Sequence, residues 1–120
     1  MSERERSVSG EVVFGEDAQP FSGATAYVRL EDVSRVDAPS QRIAEVVLSN
    51  IAYGPGVTGR LPFQLVGRLD DERARYKVSV HIDVDGDGRV SRGDYITVRS
   101  YSVAARAHQP PIVVTVKRIP

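Results

Sequence analysis

The chain has 120 residues, no cysteine, and 16 basic against 16 acidic side chains. That length fits one domain with a single core, and zero net charge removes any general attraction to nucleic acid or an anionic membrane. The absence of cysteine excludes disulfides, thiol catalysis and thiolate-bound zinc or iron–sulfur clusters.

Residues 1–6 are mostly charged or polar and read as a disordered N-terminal tail, with one domain over 7–120. MSERERSVSG lacks the apolar stretch of a secretory signal, so a native start at Met1 places the protein in the cytosol. No apolar run approaches the roughly 18 residues of a membrane span. Val8 to Phe14 reads as the first strand, followed by a turn-rich connection with Pro20 and Gly23. Phe21 is the bulky apolar residue of that connection and is expected to pack over one end of the fold. From Ala24 to Asp32 the pattern alternates: Ala24, Ala26, Val28 and Leu30 share one face, and Thr25, Tyr27, Arg29 and Glu31 the other. Period two marks a half-buried strand.

Residues 33–40 form a loop, and Gln41 to Ser49 is the next strand. Its apolar residues lie on both faces, which predicts a central strand or one under a loop. A long Gly/Pro loop over 50–59 leads to Arg60–Val66, where Pro62 predicts a sheet edge. Asp70, Asp71 and Glu72 then make a solvated acidic turn. Arg75 to Asp83 alternates most clearly, with Tyr76, Val78, Val80 and Ile82 inward and His81 outward. Tyr95 to Val103 and Ile112 to Ile119 complete seven strands. Seven strands with turn signals between them and no helix predict an all-β, antiparallel Greek-key sandwich, immunoglobulin- or transthyretin-like. A small barrel is the alternative.

Between the fifth and sixth strands lies IDVDGDGRVSRGDY. Counted from Asp83, it offers Asp83, Asp85 and Asp87 at positions one, three and five, and Gly88 at six. The backbone carbonyl of Arg89 follows at seven, apolar Val90 at eight, Ser91 at nine and Asp94 at twelve. This is calcium-loop spacing: a hard dication needs about six to eight oxygens, and alternate residues of a curled loop aim inward. The metal set expected is therefore Asp83, Asp85, Asp87, Arg89, Ser91 and Asp94, with calcium as the ion. The closing Asp94 is one methylene shorter than the usual Glu, which predicts weak binding through one oxygen. The flanks are strands, so the loop is EF-hand-like but set in a β-hairpin. The competing reading is a hairpin turn whose Asp side chains cap their own backbone. Without a cation, crowding is expected to raise some of the carboxyl pKa values.

His81 and His108 are the two histidines, both expected at the surface, with His81 a possible neighbour of the loop. No nucleophile elbow, zinc-protease, P-loop or dinucleotide motif is present. No enzyme is expected.

Several segments together resemble one family. LEDVSRVDAPS at 30–40, Gly10 ahead of an apolar strand, LPFQL at 61–65, YKVSVHIDVDGDG at 76–88 and GDYITVRSYSV at 93–103 are similar to the YbaY/YscW-type lipoproteins. The resemblance runs from about Val8 to Val116 and implies a compact β-sandwich of the bacterial envelope. Its YscW branch implies a type III secretion chaperone, or pilotin, that helps place an outer-membrane secretin. The chain departs from that pattern in having no leader and no lipid-accepting Cys, so those roles attach to it as a trimmed mature domain, in the envelope or periplasm. The functional expectation is a non-enzymatic binding or assembly module that takes a protein segment along an exposed sheet edge, near Pro62, with a structural calcium loop. A calcium-dependent carbohydrate-binding domain is the alternative.

Overall fold

The computed structural model describes residues 5–35, 37–56, 59–71, 73–103 and 110–120. Its strands are β1 (Glu5–Phe14), β2 (Phe21–Asp32), β3 (Gln41–Tyr53), β4 (Arg60–Arg68), β5 (Tyr76–Asp83), β6 (Tyr95–Thr97), β7 (Tyr101–Val103) and β8 (Ile112–Arg118). β1 begins at Glu5, two residues before the expected domain boundary. His108 and Glu72 lie outside the described residues.

The chain is all-β, and its strands form one sheet in the order β3-β2-β5-β6-β8-β1-β4, with β7 on β5. This sheet curls until it is nearly closed into a barrel. Two stacked sheets of a sandwich were expected; the difference has a simple cause. Alternation reports which face of a strand is buried, and a curled sheet buries its inner face against itself as well as two sheets do. A second departure is the pairing of β1 with β8, which is parallel, Gly10 lying opposite Ile112. A Cβ at Gly10 would stand 2.0 Å from the Ile112 carbonyl oxygen, so this approach requires glycine. Third, the single strand expected over 95–103 is two, because β6 pairs with both β5 and β8 while β7 pairs with β5. At the break, the Val80 N–H donates to Oγ1 of Thr97. Tyr101 fills the gap toward β8: its hydroxyl accepts the Thr115 N–H at 2.9 Å.

The inner face is made as the alternation requires. Ala24, Ala26, Val28 and Leu30 of β2 and Tyr76, Val78, Val80 and Ile82 of β5 are all buried. Val8, Val12, Phe63, Leu65, Val114 and Val116 complete the wall opposite. At one end Phe14 packs edge-on to Phe21 and Tyr95, with ring centroids 5.8 and 5.3 Å away, and meets Tyr53 at 4.5 Å. Phe21 thus closes an end of the fold, as its sequence position implies. β4 is terminal in the sheet, in keeping with Pro62. β3, expected as central or loop-covered, is the other terminal strand, and its Val47 is 47% exposed. Among the described residues no helix is long and apolar enough to cross a membrane.

Candidate metal centre

β5 delivers two residues of its outward row, His81 and Asp83, to the rim of the barrel. The chain then turns through 84–94 and re-enters the sheet at Tyr95, opposite Ile82. The turn is locked on its far side, where the Gly93 N–H donates to Ile119 O and the Ile119 N–H to Asp94 O. This return lays Asp94 against His81, whose Nε2 is 2.8 Å from Asp94 Oδ2. An ionised carboxylate only accepts, so that nitrogen carries the proton. His81, expected at the surface, is 8% exposed. Its place on the outward row is as the alternation gives, but the loop covers it on one side and the Tyr27 ring stacks on it at 5.8 Å. Sequence reasoning named His81 as a possible neighbour; the spacing from His81 to Asp94 across a hairpin was the available signal for a direct contact.

The four aspartates converge. Each of Asp83, Asp85, Asp87 and Asp94 places an oxygen within 4.8 Å of the others, and His81, Asp83 and Asp94 form a second such group. Asp83 and Asp94 are buried, Asp85 and Asp87 exposed. Backbone donors hold the two buried carboxylates. Asp83 Oδ1 accepts the Gly86 N–H at 3.0 Å and Oδ2 the Gly88 N–H at 2.8 Å. Asp94 Oδ1 accepts the Val84 N–H at 2.9 Å, and Oδ2 takes the Ser91 N–H at 3.2 Å beside His81. Gly88 has φ 76°, the conformation the sixth position needs. Ser91 Oγ donates to Asp85 Oδ2 at 3.0 Å, and the Arg89 N–H to Asp87 Oδ1 at 2.9 Å. Val90 is exposed.

At Asp85 the electrostatics run opposite to the crowding expectation. The Asp85 carboxyl lies below its ordinary value, chiefly because Ser91 donates to it; slight burial opposes this, and Asp83 and Asp87 assist. Chemically, the loop is a bundle of hard oxygen donors. It suits a hard dication, and Asp94 has one oxygen to give, since His81 and Ser91 occupy the other. The same bonds also let the loop cap itself.

An alternative pilotin from the type II secretion system of Vibrio cholerae has the same fold, with TM-score 0.72 and 27% identity over 97% of this chain and 98% of that one. The chain belongs to the family described as type III secretion system lipoprotein chaperone, YscW, which matches residues 3–116. No curated protein matches it.

Proposed function

We propose that the protein is a non-enzymatic binding and assembly module of the pilotin kind, acting in the bacterial envelope on a protein of a secretion apparatus, a secretin subunit. What carries the reading is a family match and a pilotin likeness that each span nearly the whole chain. The partner segment docks in extended form along a terminal strand of the sheet, where β4 presents Pro62 and the exposed Val66. The Asp83–Asp94 loop is a structural calcium loop, held by Asp83, Asp85, Asp87, Asp94, Ser91 and the Arg89 carbonyl, that stiffens the β5–β6 hairpin. What supports this part is the convergence of four carboxylates with ligand spacing.

The test of docking is calorimetry of the purified protein against peptides tiling the secretin of the same cell. One segment is expected to bind, and Val66→Lys to weaken it at least about tenfold by placing a desolvated charge in the contact. Binding by no peptide overturns the docking reading. The calcium part is tested separately. Millimolar calcium is expected to raise the melting temperature and move the amide signals of 83–94, and Asp85→Ala to diminish both. If calcium moves neither, the loop is a self-capped turn.

A further inference from the structure

The terminal strands β3 and β4 face each other where the barrel nearly closes, yet no backbone pairing joins them among the described residues. We propose that residues 41–49 of β3 form a flap that detaches from the barrel at this seam, hinged at Asn50, while the rest of the sheet stays folded.

Four observations converge on β3. It is the longest strand, with 13 residues, yet none of them is buried; β5, with 8 residues, has six. Its inward row, Ala44, Val46 and Leu48, packs on the core only half-buried. Within 41–49 its pairing with β2 shifts register once, at Leu30/Glu31, and a second shift, at Ala24/Ala26, spans the hinge between Leu48 and Ile51. Segments with little buried apolar surface open at lower free energy than the molecule as a whole. Asn50 has φ 56°, the single positive value outside glycine among the described residues, so the backbone already bends there. Beyond it, Tyr53 is anchored against Phe14 and Phe21. That gives a fixed end, a hinge and a loosely held arm.

The seam is closely packed at Gly67. A Cβ built on Gly67 of β4 would lie 3.1 Å from Ile43 Cγ2, 3.3 Å from Ala44 Cβ and 3.4 Å from Leu30 Cδ2. Beside it, a hollow of about 480 Å³ lined by Arg42, Ile43, Val66 and Arg68 leaves the seam open to water. Detachment uncovers the inward row of β3 and frees the edge of β2.

Native-state hydrogen exchange on the full chain tests the flap without any partner, so the result does not depend on the docking reading. The amides of 41–49 bonded to β2 are expected to exchange about 100-fold faster than those of β5, with a weak dependence on urea. Exchange at the β5 rate, with the full urea dependence of global unfolding, overturns the proposal. Gly67→Ala wedges the seam and is expected to speed β3 exchange about tenfold with β5 unchanged. A cysteine pair, A44C with G67C, gives the converse: the Cβ separation is near the roughly 3.5–4.5 Å of a disulfide. Its oxidised form is expected to bring β3 toward the β5 rate and its reduced form to restore the difference. If oxidation leaves β3 exchange unchanged, opening does not run through the seam.

Discussion

β5 and β3 are both strands of alternating apolar residues, and they end in opposite physical states. β5 lies in the middle of the sheet, has its inner row wholly buried, and has its outer row covered at the rim by the loop it launches. β3 lies at the sheet's end, with a half-buried inner row and an exposed outer one. The lesson is that alternation makes a strand, whereas what covers each face sets how firmly it is held. The contrast is sharpest around charge. The buried Asp94 of the β5 hairpin has four backbone or ring partners within reach of its two oxygens and its own N–H. On β3, Glu45 Oε2 accepts from Arg29 Nε of β2 at 2.6 Å and lies 3.4 Å from Arg42 Nη1, on the solvent side of the sheet where such pairs add little.

The largest break in that comparison comes from Asp94. Asp94→Ala strands the His81 ring nitrogen and the Val84 and Ser91 N–H groups in a buried site. Leaving buried donors unsatisfied costs about 1–3 kcal/mol each, so a total loss of about 4 kcal/mol is expected from the urea midpoint in calcium-free buffer. Glu45→Ala on β3 is expected to cost under about 1 kcal/mol in the same assay. Equal losses would mean that the hairpin loop is not the better-held region.

Next in size are apolar truncations on matched faces. Ile82→Ala empties a fully buried position in β5 and is expected to cost about 3–4 kcal/mol. Val46→Ala, on the inward row of β3, leaves a half-filled site that water already reaches, and about 1 kcal/mol is expected. A Val46→Ala loss as large as that of Ile82→Ala would show β3 as firmly packed as the centre of the sheet and would count against the flap.

The same contrast explains what was legible in the sequence. The inner rows of β2 and β5 followed from period two alone, and Asp83, Asp85, Asp87 and Asp94 lie together within one short loop. What stayed hidden depends on distant chain. Val47 looks as fit for burial as Val46, and its exposure follows from its place on the outer row of β3, away from the core. His81 occupies an outward position and becomes buried only because Asp94, thirteen residues later, returns onto it. The parallel β1–β8 pair joins opposite ends of the chain, and no local pattern encodes strand direction. The break between β6 and β7 falls at Val98–Ser100, which contains no glycine or proline to mark it.

The smallest effect separates the two regions by pH. Glu31 of β2 stands between them, accepting from Ser79 of β5 at Oε1 and from Ser40, just ahead of β3, at Oε2. Partial burial pushes its carboxyl up, but the Ser79 and Ser40 hydrogen bonds, with the Lys77 and Arg29 charges, together hold it below the ordinary 4.5. A depressed folded-state value means stability that is complete above about 4.5 and is lost as pH falls through the lower, folded value. Ser79→Ala removes the stronger of the two hydrogen bonds and lets the folded value rise toward the ordinary one. Its cost is expected to stay below about 1 kcal/mol near neutral pH, because the carboxylate is partly solvated. That cost should fade as pH falls from about 4.5 into acid, as Glu31 takes up its proton with or without Ser79. Ser40→Ala, whose hydroxyl lies on the loosely held side, should show the same pH trend with a smaller amplitude. Urea midpoints at neutral and acid pH decide it: a Ser79→Ala cost that persists unchanged into acid means the hydroxyl supports packing rather than the charge of Glu31.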